Sequence, residues 1–165
     1  MLVGNKLFSQ LDFYVDGAAS TKTECGGWAC ITIKDDEIID VEQGRDIHTT
    51  NNRMELMSFL QALRTIKMTD VPEARIFSDS AYVVNCFQDK WYEKWLANNW
   101  RTSDKQHVKN KDLWKQILAL YFEFEDKGVK LEIIKVQSHK DNKFNNYADL
   151  IAVKERKAIE LLEGF

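Results

Sequence analysis

Between residues 11 and 63 the apolar side chains change their spacing once, from every second position to every third or fourth. That switch restricts the chain to folds in which a sheet is laid down first and helices pack onto it. Leu11, Phe13 and Val15 alternate with Asp12, Tyr14 and Asp16, and Gly17 ends the run, so a first strand is expected to deliver Asp16 at its end. Gly26-Gly27 leads into a second apolar run over residues 28–33, and the turn-like Lys34-Asp35-Asp36 separates it from a third over residues 37–41, as in an antiparallel meander. From Asn51 onward Leu56, Phe59, Leu60 and Leu63 recur at helical spacing, with Thr49-Thr50-Asn51 supplying capping oxygens.

Strand and helix patterns then alternate. Pro72 falls in a loop, and Ala74-Arg75-Ile76-Phe77 reads as a buried strand ending in Ser78-Asp79-Ser80. Residues 81–87 look helical, a Trp-rich basic segment follows, and Asn110 is expected to cap a helix whose Leu113, Trp114, Ile117, Leu118 and Tyr121 share a face. Gly128 closes it. Val129, Leu131 and Ile133 form a last strand, and Asn145 or Asn146 is expected to open a final helix with Ala148, Ile151, Ile159 and Leu162 inside. The order predicts an α/β fold: a mixed five-stranded sheet, antiparallel meander plus parallel strands, flanked by helices. Ligands in such sheets collect at the carboxyl ends of the parallel strands, where Asp16 and Asp79 are expected.

With 165 residues and 44% hydrophobic content, one domain over 1–165 is expected. No stretch is long and apolar enough to span a bilayer and none resembles a secretory leader, so a cytoplasmic protein with no membrane partner is expected. Cys25, Cys30 and Cys86 lack paired metal-ligand spacing and read as buried, reduced thiols. The net charge of −3 argues against a globally basic nucleic-acid binder, yet it hides an asymmetry. Residues 1–60 carry 5 basic and 10 acidic side chains, whereas Lys90, Lys94, Arg101, Lys105, Lys109 and Lys111 face only Glu93 and Asp104 over residues 90–111.

Asp16 and Asp79 at strand ends, Glu55 in the first turns of a helix and Asp149 near the start of another are each unremarkable alone, since caps, turns and helix dipoles all attract carboxylates. Their local wording decides. Tyr14-Val15-Asp16-Gly17, Thr49-Thr50-Asn51-Asn52-Arg53-Met54-Glu55-Leu56, Ser78-Asp79-Ser80, Trp100-Arg101-Thr102, Val108-Lys109-Asn110-Lys111-Asp112-Leu113-Trp114, Ser138-His139, Asn145 and Ala148-Asp149-Leu150 occur in this order over nearly the whole chain. Together they resemble type 1 ribonuclease H of the bacterial kind.

The resemblance implies an endonuclease that hydrolyses the RNA strand of RNA–DNA hybrids, leaving 5′-phosphate and 3′-hydroxyl ends, and a partner that is the hybrid duplex, bound by a monomer. It implies two Mg²⁺ ions, with Mn²⁺ as a substitute, held by Asp16, Glu55, Asp79 and Asp149, with Asp16 bridging. Carboxylates suit hard cations, which keep waters and phosphate oxygens in their shell. A loop histidine is ordinarily a solvated side chain; the resemblance makes His139 a proton carrier, for which an imidazole is chemically apt.

For the substrate, the resemblance puts Gly17, Asn51 and Asn52 at the minor groove, Thr50 near a DNA phosphate and Asn145 near the RNA backbone. Residues 90–111 match the family's basic protrusion, where Trp91, Lys105 and Lys109 are expected to touch the duplex while Trp95 and Trp114 pack. Three departures stand out. Ser20-Thr21-Lys22-Thr23 replaces a Gly-Asn-Pro-Gly type loop, Ala81 replaces a common Gln, and Leu96-Ala97-Asn98-Asn99 dilutes the protrusion's charge. A duplex-binding module without activity and a transposase-like nuclease share such a core. All four carboxylates are present, which disfavours the first, and the Thr-Thr-Asn-Asn-Arg-Met-Glu-Leu run with His139 disfavours the second.

Overall fold

Asp35 and Asp36 both hold positive φ, 51° and 62°, the geometry of a two-residue hairpin whose twist matches that of its strands. In the computed structural model, which describes residues 8–137 and 142–165, this turn joins β2 (Gly26–Lys34) to β3 (Glu37–Asp46). β1 (Gln10–Ala19) pairs antiparallel with β2 and parallel with β4 (Glu73–Ser78), and β4 pairs parallel with β5 (Lys130–Lys135). The strand order is β3-β2-β1-β4-β5. Each parallel step needs a crossover. α1 (Asn51–Thr69) supplies the first, and α2 (Ala81–Gln88), α3 (Trp91–Ala97) and α4 (Lys111–Lys127) lie within the second; α5 (Lys143–Leu162) follows β5. The mixed five-stranded sheet expected from the apolar spacing is the one observed. Among the described residues no helix is long and apolar enough to cross a membrane.

Strand parity decides which side chains meet which helix. Val15 opposite Cys30 and Phe13 opposite Thr32 occupy one face. There Phe13, Val15 and Cys30 are buried with Phe59, Leu60 and Leu63 of α1 and with Trp114 and Ile117 of α4. Asp12 opposite Ile33, Tyr14 opposite Ile31 and Asp16 opposite Ala29 occupy the other. On that side Ala29, Ile31 and Ile33 pack against Ala148, Ile151 and Ala152 of α5.

Several expectations differ in detail. β3 runs past the expected 37–41 to Asp46, because its ladder with β2 continues to the Gly26–Asp46 pair. β1 runs through Gly17 to Ala19, because its antiparallel ladder with β2 continues to the Ala19–Gly26 pair. α5 starts before Asn145: Asn142 is its cap, accepting from the Asn145 N–H at 3.0 Å, so Asn145 and Asn146 lie inside the first turn. At the other end of α5 Ile159 is half-buried and Leu162 is 70% exposed. The helix crosses β2 where a side chain on Gly27 would meet Ala152 and Arg156, so its later turns extend past the start of that strand.

Candidate active site

The last parallel pair between β1 and β4 is Tyr14 with Phe77. Two residues further along each strand direction stand Asp16 and Asp79, and the equal offset puts both carboxylates just past the end of the β1–β4 ladder, with Asp16 still paired to Ala29 of β2. Glu55 reaches them from α1. Thr50 caps that helix, its Oγ1 accepting from the Arg53 N–H at 3.2 Å. Gly17 lets the helix press onto the strand: a Cβ there would lie 2.3 Å from the Met54 carbonyl carbon and 2.4 Å from the Glu55 nitrogen. One oxygen each from Asp16, Glu55 and Asp79 lies within 4.8 Å of the others. Asp149 lines the same cleft, because Asp16 belongs by parity to the sheet face that α5 covers.

Asp16 is 3% exposed and Glu55 5%. Asp16 Oδ1 accepts the Gly17 N–H at 2.9 Å, but Asp16 Oδ2 and Glu55 Oε2 are buried with no hydrogen-bond partner among the described residues. Burial first, then the neighbouring Asp79 carboxylate, pushes the Asp16 carboxyl up to about 8. Burial, then the charge of Asp16, holds Glu55 well above its ordinary value. Buried anionic oxygens without donors are costly unless a cation compensates them. An all-oxygen donor set with these features fits a hard divalent ion.

The shifts carry a sign. A carboxyl whose pKa is raised by folding contributes stability that is complete below its unfolded value and is lost as pH rises through its folded value. In metal-free buffer Asp16 therefore costs stability progressively between pH 3.8 and about 8. Asp16→Asn is expected to reduce the fall in stability from pH 5 to pH 8. Urea melts in chelator at the two pH values check this, and an unchanged difference would remove burial and repulsion as the cause.

Asn51 and Asn52 line the carboxylate cleft with Gly17, and the Asn51 Oδ1 accepts the Ala19 N–H at 3.3 Å. They also line an adjoining cleft with Thr50, Lys109 and Asn110. Asn145 is buried one helical turn before Asp149, its Oδ1 without a partner among the described residues. Lys105 is exposed in the turn closed by its N–H to the Thr102 carbonyl at 2.9 Å, apart from the clefts. Trp91 is half-buried against Tyr82 and Trp95, at ring-centroid distances of 6.2 and 6.5 Å. Trp95 and Trp114 pack as expected, Trp95 lying 5.3 Å from Trp114, which is fully buried. His139 lies outside the described residues.

One cleft residue carries no signal in the sequence, and another has a role beyond the expected one. Tyr82 lines the carboxylate cleft, and its hydroxyl oxygen accepts from Trp114 Nε1 at 2.8 Å and from Asn110 Nδ2 at 3.2 Å. An aromatic residue in a short helical run gives no sign of such a place. Asn110 stands at the N-cap position of α4 as expected, but with left-handed backbone, φ 59° and ψ 27°, and no side-chain cap bond. Its amide is spent on Tyr82 and Arg53 instead.

The RNase H family model matches residues 9–157. Over 147 residues the chain is 38% identical to the ribonuclease H of a Thermoanaerobacter species, spanning 89% of this chain and 90% of that protein. Over 148 residues it is 40% identical to the ribonuclease H of Acetivibrio thermocellus, spanning 90% and 95%. Its fold is similar to that of the N-terminal RNase H domain of a Mycobacterium tuberculosis protein, solved as a fusion with maltose-binding protein. There the TM-score is 0.72 over 95% of this chain and 100% of that one, at 18% identity. Sequence and fold thus agree from the first strand into the last helix: the chain belongs to the ribonuclease H family, metal-dependent hydrolases of the RNA strand in RNA–DNA hybrids.

Proposed function

We propose that this chain, acting as a monomer with a single domain, is an endonuclease that cuts the RNA strand of hybrids by two-metal-ion hydrolysis. The products carry 5′-phosphate and 3′-hydroxyl ends. The observation that supports this best is the meeting of Asp16, Glu55 and Asp79 oxygens within 4.8 Å, in a cleft that Asp149 also lines. Asp16, Glu55, Asp79 and Asp149 would hold two Mg²⁺ ions, or Mn²⁺ through the same oxygens. When bound, the ions supply an activated water and charge stabilisation at the leaving oxygen.

The chain's own groups bind and orient the duplex. Asn51 is tied through Oδ1 to the Ala19 N–H, which leaves its Nδ2 hydrogens for the minor groove, where a 2′-hydroxyl distinguishes RNA from DNA. Gly17 and Asn52 border the same groove, Asn145 faces the RNA backbone, and Thr50 and Lys109 take a DNA phosphate from the adjoining cleft. Trp91 and Lys105 extend the contact along the basic segment, whose lysines displace counterions. Proton transfer at the leaving oxygen falls to His139, by the family resemblance.

One cleavage assay tests the proposal with hybrid, double-stranded RNA, double-stranded DNA and single-stranded RNA, each with Mg²⁺ or chelator. Only the hybrid with Mg²⁺ is expected to be cut, with 3′-hydroxyl ends that a polymerase extends. Equal cutting of all four substrates, or cutting in chelator, would overturn it.

A further inference from the structure

We propose that Arg53 and Asp112 form a positioning clamp that holds the outgoing end of the basic segment against the helix bearing the substrate asparagines and Glu55. The two surfaces are thereby joined into one. The inference rests on the reading that Thr50, Asn52 and Lys109 face the hybrid.

The geometry is that of a fork on a fork. Arg53 Nη1 donates to Asp112 Oδ1 at 3.0 Å and Nη2 to Asp112 Oδ2 at 2.8 Å. Nη1 also donates to Asn110 Oδ1 at 3.3 Å, and Asn110 passes the link on by donating from Nδ2 to the Tyr82 hydroxyl at 3.2 Å. Arg53 follows Asn52 directly and precedes Glu55 by two residues; Asp112 follows Lys109 by three. One cross-link therefore joins the first turn of α1 to the chain that leaves the basic segment.

The side chains of Arg53 and Asp112 are 30% and 62% exposed. Exposed ion pairs contribute little to folding stability, so stability does not account for a bidentate contact with a third partner. Orientation does, because a planar guanidinium fixes direction as well as distance. The backbone of Asn110 supports the same conclusion: it sits in the left-handed region, with its side chain committed to the cross-link rather than to capping α4.

The clamp predicts a sign opposite to that of simple electrostatics. Asp112 is an anion close to a groove proposed to take phosphates, so by charge alone Asp112→Asn tightens hybrid binding. If it is the clamp's acceptor, the same change weakens binding.

Steady-state cleavage of a short hybrid by the full chain, over a range of salt, tests this with Asp112→Asn, Arg53→Lys, their double variant and Lys109→Gln. Asp112→Asn is expected to raise KM about threefold to tenfold with kcat within about twofold of wild type. Arg53→Lys keeps the charge but loses the fork, and is expected to do the same; the double variant should be no worse than either single. A lower or unchanged KM for Asp112→Asn, wild-type behaviour of Arg53→Lys, or a fall in kcat alone, as partial unfolding gives, would overturn the clamp. Lys109→Gln separates the underlying reading: it should lower the slope of log affinity against log salt by ~0.9. If that slope is unchanged, the groove assignment itself fails; if it falls while the KM of Asp112→Asn does not rise, the clamp alone is wrong.

Discussion

Asp79→Asn is expected to abolish turnover while the protein stays folded. The substitution replaces one carboxylate oxygen by an NH2 group of nearly the same size, at a half-buried position just after the last residue of β4. It removes one of three carboxylates whose oxygens lie within 4.8 Å of one another, and with it a ligand of the proposed metal site. Stabilisation of transition-state charge by such a site amounts to several kcal/mol, so a loss of about 10³-fold or more in kcat follows. Stability should move the other way. The Asp79 charge is one of the causes that push Asp16 up to about 8, so its removal relieves repulsion. Urea melts in chelator should show stability equal to or above wild type. A large loss of stability with Mg²⁺-dependent cleavage intact would make Asp79 a structural residue.

Gly17→Ala is expected to damage fold and activity together, for a reason unrelated to charge. The added methyl would stand 2.3 Å from the Met54 carbonyl carbon and 2.4 Å from the Glu55 nitrogen. Both are backbone atoms of α1, so no side chain can swing aside; the helix and the strand must separate. Overpacking of this kind costs about 1–3 kcal/mol or more. The separation also draws Glu55 away from Asp16, and a misplacement of about 1 Å at a reacting centre costs about 10²-fold in rate. Denaturant melts and kcat with saturating Mg²⁺ measure the two effects. Wild-type values for both would mean that helix and strand are not held this closely.

Local physics explains what was legible in the order of amino acids. The alternation of Leu11, Phe13 and Val15 and the helical spacing of Leu56, Phe59, Leu60 and Leu63 depend only on neighbours along the chain. So does the cap of α1, which Thr50 supplies from among the three candidates Thr49, Thr50 and Asn51. The Thr-Thr-Asn-Asn-Arg-Met-Glu-Leu run also carried the family, because eight specified residues in a row rarely coincide by chance. Where two chemically equal candidates lay close together, the same logic slipped: Asn142 rather than Asn145 or Asn146 caps α5. An Asn is able to cap or to be buried, and only the packing of α5 on β2 decides which.

By itself, then, the sequence determined the order of strands and principal helices, the side faced by the apolar residues of the strands and of the first helix, and the four carboxylates worth suspecting. Tertiary structure alone decided that those carboxylates meet. The register of β1 on β4 sets Asp16 and Asp79 at equal offsets beyond Tyr14 and Phe77, and the missing side chain of Gly17 admits Glu55. It also turned Arg53 from one more surface cation into the partner of Asp112 and Asn110, and Asp16 from an ordinary acid into one whose carboxyl burial and the Asp79 charge push up to about 8. The division has a physical cause. Periodicity and capping are short-range and are written in adjacent residues, whereas register, close approach and desolvation arise between segments far apart in the chain and exist only once those segments pack.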